Sequence, residues 1–226
     1  MIRSGSAGAG LTLLVLAKAP LPGRVKTRLT PQVTPAQAAD LAAAALRDTL
    51  EVVASAPADR RVLVLDGEAG RWVPPGFEVV PQVGGSLADR LAGAFVLVAG
   101  AAFLVGSDTP QLTVDDLWPD GDRAAGPDSV LGLAEDGGFW GIGMRLPRPQ
   151  VFDGVLMSTD RTGIAQRNSL RRHGFSVGHL RTMRDVDTMA DARAVAALAP
   201  RTRFAAALRR LEPVVVGASV QETRLS

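Results

Sequence analysis

Leu11-Thr12-Leu13-Leu14-Val15-Leu16-Ala17-Lys18-Ala19-Pro20-Leu21-Pro22-Gly23-Arg24-Val25-Lys26-Thr27-Arg28-Leu29 joins an apolar run to a cluster of cations. Leu11 to Leu16 reads as a buried strand. Four cations then fall within eleven residues, and no acid occurs between Lys18 and Asp40. In an extended segment Arg24, Lys26 and Arg28, spaced by two, point the same way. Gly23 allows the backbone to approach a ligand, and Pro20 and Pro22 stiffen the loop. A stiff cationic loop after a first strand suits a polyphosphate. A solvated basic loop is the plainer alternative, and this stretch alone does not separate the two.

Working outward, strands alternate with helices. A helix is expected from Thr34, with Pro35 in its first turn and Gln37 completing a capping box, to about Ser55. Arg61–Asp66 and Phe77–Val80 read as strands, and Ser86 with Asp89 caps a helix to about Val98. Ala102–Gly106 is a further buried strand, and Thr113–Trp118 starts like a short helix. Ser129–Ala134 and Phe139–Met144 flank a Gly-rich turn. Arg161–His173 reads as helix, Phe175–Leu180 as strand, and Met189–Leu198 and Arg201–Leu211 as closing helices. The pattern implies an α/β domain with a mostly parallel sheet flanked by helices. Residues 1–10 are expected to be disordered, 11–212 to form the domain, and 213–226 a tail.

Composition narrows the function classes. The 226 residues, 46% of them apolar, suffice for one α/β domain or two small ones, and no linker clearly divides them. Net charge is only +2. The pI near 9.9 reflects the lack of groups titrating between His and Lys, so it is no argument for nucleic acid. Aromatics are few, and no nucleic-acid partner is expected. Zero cysteines exclude disulfides, thiolate metal sites and a Cys nucleophile. Ala17-Lys18-Ala19 after an apolar run imitates a signal-peptide cleavage site. The run is at the short limit, so a cytoplasmic location is expected, with no membrane span.

Several residues could carry chemistry. Asp108, in Gly106-Ser107-Asp108-Thr109-Pro110, follows a strand at the place where α/β sheets collect ligands, and it can hold a hard cation. Its structural alternative is an Asx-turn or a helix cap before Thr113. Asp187, in Asp185-Val186-Asp187-Thr188, is either a helix N-cap or a second carboxylate on the same cation. Glu135-Asp136-Gly137-Gly138 reads as a tight hairpin turn that also lines a cleft. Gly84, Ser86 and Arg90 surround a helix N-terminus that could meet a base edge or a phosphate. The near match of Gly84-x-Ser86-x-Ala88 to a nucleophile elbow is poor, and His173 and His179 lack a recognisable context. Neither G-x-x-x-x-G-K-[ST] nor a strand-linked G-x-G-x-x-G occurs, which disfavours P-loop and dinucleotide-binding folds.

Taken together, Ala17–Pro20 with Pro22–Leu29, Gly106–Pro110, Ala134–Trp140 and Asp185–Thr188 resemble a bacterial family of GT-A-fold, glycosyltransferase-like transferases. The chain also looks distantly like the guanylyltransferases for molybdenum cofactor and phospholactate, and like cytidylyltransferases of sugar activation. The resemblance covers about Leu11 to Leu198 and implies a single GT-A-like (nucleotide-diphospho-sugar transferase) domain. By it, Asp108 matches the Asp that holds catalytic Mg²⁺ (or Mn²⁺), and Asp187 the later Asp that completes the site. Lys18, Gly23, Arg24, Lys26 and Arg28 match the loop over the nucleotide phosphates, with Lys26 and Asp108 as catalytic residues. Gly84, Ser86 and Arg90 fall where the base is read. Glu135, Asp136, Gly137, Gly138, Ser158 and Thr159 face a small-molecule acceptor. Met157-Ser158-Thr159-Asp160 departs from relatives that carry Trp there, and Ser107-Asp108-Thr109 replaces the D-x-D of many sugar transferases.

The expected activity is therefore Mg-dependent transfer from a nucleoside triphosphate or nucleotide sugar. Nucleotidyl transfer is favoured because a triphosphate needs more cations than a sugar-linked diphosphate. Glycosyl transfer and non-catalytic nucleotide binding are the alternatives. Neither the base, the acceptor nor the oligomeric state is written in the sequence.

Overall fold

Alternation of apolar residues along the first strand builds two layers around one sheet. In the computed structural model, which describes residues 10–30, 32–118 and 126–211, β1 runs Thr12–Lys18. Leu13, Val15 and Ala17 enter a core with Leu46, Leu50 and Val53 of helix α1, Pro35–Ser55. Leu14 and Leu16 turn to the opposite face, against Leu91, Ala94 and Phe95 of α2, Leu87–Val96. Period-2 alternation thus feeds helices on both sides.

The remaining elements are β2 (Arg60–Asp66), β3 (Glu78–Pro81), β4 (Ala102–Val105), β5 (Ser129–Ala134), β6 (Phe139–Met144), α3 (Thr162–Arg172), β7 (Val177–Met183), α4 (Met189–Leu198) and α5 (Arg203–Leu211). They form a seven-stranded sheet in the order β3-β2-β1-β4-β6-β5-β7. β1 pairs in parallel with β2 and β4, β2 with β3, and β5 with β7, while β6 is antiparallel to both neighbours. Every strand except β6 therefore ends on the same edge. The loops after β1, β3, β4, β5 and β7 converge there, as ligand loops do in open α/β sheets.

Local signals account for most boundaries. Thr34 and Gln37 form the expected capping box, as do Ser86 and Asp89. The start of α5 is capped from a distance: buried Asp48 of α1 accepts from the N–H groups of Arg203 and Phe204 at 2.9 and 2.8 Å. Burial pushes the Asp48 carboxyl up, against the pull of those bonds.

Three expectations change. β7 starts two residues later and runs three residues further than expected, to Met183, because it pairs with β5 across a bulge near Gly132 to Ala134. Helix α5 begins at Arg203, not Arg201, where the Asp48 carboxylate meets it. The segment Thr113–Trp118 contains only a 3-10 turn, Val114–Asp116. The expected disordered segment and tail lie outside the described residues, apart from Gly10.

Candidate active site

The basic loop reaches its position by turns. Gly23 has φ +75°, Lys26 is left-handed at φ +49°, and Thr27–Leu29 form a 3-10 turn. The expected extended alternation of Arg24, Lys26 and Arg28 is thus absent. Leu29 is buried against Leu41 and Val186 and ties the loop to the fold. All three cations nevertheless border one cleft of roughly 570 Å³ at the carboxyl edge of the sheet.

Opposite them stand acids from the loops after β4, β5 and β7. Asp108, Asp136, Asp185 and Asp187 all line the cleft. Lys26 Nζ lies 2.7 Å from Asp108 Oδ1, and Arg28 Nη1 lies 2.5 Å from Asp187 Oδ2. The Lys26 side chain is 9% exposed and that of Asp108 is 53% exposed, so the cation is held while the carboxylate faces solvent. Val186 fixes their spacing. Its N–H donates to Asp108 O at 3.0 Å, and its carbonyl accepts from Lys26 Nζ. Arg24 approaches Asp66 only at 3.8 Å.

Neither candidate carboxylate is used as a helix cap. Thr188 caps α4 through Asp191, leaving Asp187 free for Arg28. Thr113 makes its own box with Asp116, leaving Asp108 to the cleft. Asp116 in turn takes two bonds from Arg181 on β7, at 2.5 and 2.7 Å. Burial alone would raise the Asp116 carboxyl, but the Arg181 and Thr113 bonds outweigh it and hold it below the usual range.

Asp185 stands beside these acids, although its sequence context gives it no role. Its carboxyl rises from an ordinary 3.8 to about 6. Burial is the main cause, followed by the charge of Asp136. A backbone hydrogen bond at Asp185 opposes them, and Asp187 and Asp108 add smaller repulsions. No local sequence feature reports this crowding, because it arises from three separate loops.

The hairpin turn does line the cleft, through Asp136 and Gly138. Asp136 Oδ1 accepts from Gly138 N at 2.8 Å. Gly137 has φ +90°, and a Cβ there would lie 1.9 Å from the Asp160 carbonyl oxygen. Gly163 N donates to Gly137 O at 2.8 Å and seats the turn on the start of α3. Ser158, Thr159, Asp160 and Thr162 complete that wall. Glu135 is not in the lining and pairs with Arg184 at 2.6 Å.

On the α2 side Lys18, Gln82, Leu87 and Arg90 contribute, whereas Gly23, Gly84, Ser86 and Gly137 are not in the lining. The Ser86 hydroxyl donates to Asp89 at 2.7 Å and accepts from the Asp89 N–H. That bonding identifies Ser86 as the cap of α2.

The all-oxygen donors suit a hard cation such as Mg²⁺. Among the described residues no three His, Cys, Asp or Glu side chains are grouped to hold a metal. Asp108 and Asp187 could supply the one or two carboxylates that Mg²⁺ uses beside substrate phosphates. Lys26 and Arg28 now neutralise both, so they would have to move aside.

Comparison with solved structures places this architecture. A protein from Desulfovibrio desulfuricans G20, provisionally assigned as a nucleotide-diphospho-sugar transferase, is 27% identical with a TM-score of 0.78, over 88% of this chain and 94% of that one. CMP:2-keto-3-deoxy-manno-octonic acid synthetase, solved with CTP, aligns at 14% identity and TM-score 0.53, over 85% and 99% of the two chains. 2-C-methyl-D-erythritol 4-phosphate cytidylyltransferase from Thermus thermophilus aligns at 13% identity and TM-score 0.50, over 84% and 98%. These last two share the fold alone. No curated protein matches the sequence. Residues 35–159, more than half of the chain, match the family DUF2064, described as uncharacterized protein conserved in bacteria, and the chain belongs to that family.

Proposed function

We propose that the chain is a divalent-metal-dependent transferase acting on a nucleotide donor, by nucleotidyl transfer from a nucleoside triphosphate to a small phosphorylated or hydroxyl acceptor. One observation carries this reading. The cations of the loop after β1 and the carboxylates after β4 and β7 face each other across one cleft, paired at 2.7 and 2.5 Å. Phosphates and a cation together would satisfy both sets of charges at once. Fold similarity alone would not justify the step to function.

Lys26 and Arg28 would leave their carboxylates to bind phosphate oxygens. Asp108 and Asp187, so released, would hold Mg²⁺ or Mn²⁺, which supplies charge neutralisation on the phosphates. The wall formed by Asp136, Gly138, Ser158 and Thr159 would orient the acceptor. An acceptor phosphate oxygen, or a hydroxyl oxygen that gives up its proton to solvent, then attacks the α-phosphorus, the bond from it to the oxygen bridging to the β-phosphorus breaks, and pyrophosphate leaves. Such chemistry depends on positioning and electrostatics, so it needs no nucleophilic side chain. A cytoplasmic location, beside nucleotide pools, accords with this role. No helix among the described residues is long and apolar enough to cross a membrane.

Glycosyl transfer from a nucleotide sugar is the second reading, favoured by the assignment of the Desulfovibrio protein. Product analysis separates the two after a screen of donors and acceptors. Pyrophosphate release supports nucleotidyl transfer, nucleoside diphosphate release supports glycosyl transfer, and neither product with any donor that binds contradicts both.

A further inference from the structure

The sheet by itself keeps Asp108 and Asp187 apart. They follow β4 and β7, and β6 and β5 lie between those strands. At about 4.8 Å per neighbour, β4 and β7 are about 14 Å apart. Mg²⁺ holds its oxygens at about 2.1 Å, so two carboxylate oxygens on one ion lie no more than about 4 Å apart. The two loops must therefore lean toward each other, and the polar bonds between them set how far.

Three links join these loops. The Val186 N–H donates to Asp108 O at 3.0 Å. Lys26 bridges the Asp108 carboxylate and the Val186 carbonyl, but on the reading above it leaves both to bind phosphate. The third link is Gln111, whose Nε2 donates to Arg184 O at 2.6 Å. Each end of that bond lies three residues from a candidate carboxylate, Asp108 on one loop and Asp187 on the other. Arg181 of β7 braces it, donating to Gln111 O at 3.1 Å while it holds Asp116. Gln111 is buried and does not line the cleft, so it touches neither phosphate nor metal. The Arg184 carbonyl requires the NH₂ of the amide, and Gln111 Oε1 is left buried with no donor among the described residues. That unpaired acceptor offsets the gain from the bond, so the amide adds little net stability.

We infer that Gln111 is a positioning residue, tying the loop after β4 to the loop after β7 so that Asp108 and Asp187 keep the separation a small divalent cation needs. This rests on the nucleotide-donor reading above. Once Lys26 turns to phosphate, Gln111 is the side chain that still links the two loops. Mg²⁺ demands near-ideal octahedral geometry, whereas Ca²⁺ accepts longer and more varied bonds. A loosened pair of carboxylates therefore loses Mg²⁺ before it loses Ca²⁺.

The test is calorimetric titration of ATP, GTP, CTP and UTP with Mg²⁺, with Ca²⁺ and with chelator, on the wild-type chain and on Gln111→Met. Methionine matches glutamine in length but lacks both the N–H and the unpaired oxygen, so far-UV circular dichroism should be unchanged. For the triphosphate that binds best, the tightening by Mg²⁺ should fall about fivefold in the variant, the tightening by Ca²⁺ less than about twofold, and binding in chelator should stay within about twofold. Gln111→Asn keeps the amide but draws it back by one carbon; it should behave likewise, and it carries the test should Gln111→Met fail to fold. An unchanged Mg²⁺ effect, or equal losses with Mg²⁺ and Ca²⁺, overturns the assignment of Gln111. A wild-type chain whose triphosphate binding no divalent ion improves overturns the metal-dependent reading itself.

Discussion

Lys26 and Asp185 show how far single residues can be read. Lys26 is half-buried, left-handed and shared between Asp108 and the Val186 carbonyl. Replacing it with alanine should weaken triphosphate binding about tenfold or more, and monophosphate binding less. Titrating both nucleotides checks this, and equal losses would contradict phosphate contact by that lysine. Asp185 makes a pH-dependent prediction. Its carboxyl is raised from 3.8 to about 6 in the folded chain. The folded state therefore binds that proton more tightly than the unfolded state does. Ionisation above pH 6 costs stability, and the penalty fades as pH falls from 6 toward 4. Asp185→Asn should raise Tm at pH 8 by a few degrees, equivalent to on the order of 1 kcal/mol after discounting for partial solvent access, and lose the advantage at pH 4. A Tm difference independent of pH would refute the assigned cause. The cation cluster and Asp108 were legible in the sequence because strand, loop and acid are local patterns. Asp185 was not, because its burial and the charges around it arise only when separate loops meet.

Elements were legible where caps and alternation are local. Thr34 with Gln37 and Ser86 with Asp89 fixed the starts of α1 and α2. The start of α5 was misplaced because its cap, Asp48, comes from α1. The end of β7 was misplaced because Arg181 and Thr182 look like loop residues, yet pairing with β5 continues to Met183 and Arg181 is held by Asp116. The turn between β5 and β6 carries a prediction at this scale. Gly137→Ala combines a positive φ with a Cβ placed 1.9 Å from the Asp160 carbonyl oxygen. It should lower stability by about 2 kcal/mol or more and displace the wall around Thr159. Chemical denaturation checks this, and an unchanged midpoint would show that the turn relaxes freely.

At the scale of the molecule, the strand order brings five loops to one edge, and none of them makes the cleft alone. Two cation–carboxylate pairs bridge it. A metal ion without phosphate must compete with Lys26 and Arg28, and phosphate without metal must compete with Asp108 and Asp187. Each ligand that draws away one set of charges frees the other, so their binding should be mutually reinforcing. Calorimetric titration of nucleoside triphosphates into the protein, with Mg²⁺ and then with chelator, measures this coupling directly. The account predicts a triphosphate that binds at least about tenfold more tightly with Mg²⁺, with the gain lost in Asp108→Asn although its far-UV circular dichroism is unchanged. Binding that is equal with and without the metal, or a gain that survives in Asp108→Asn, would contradict it.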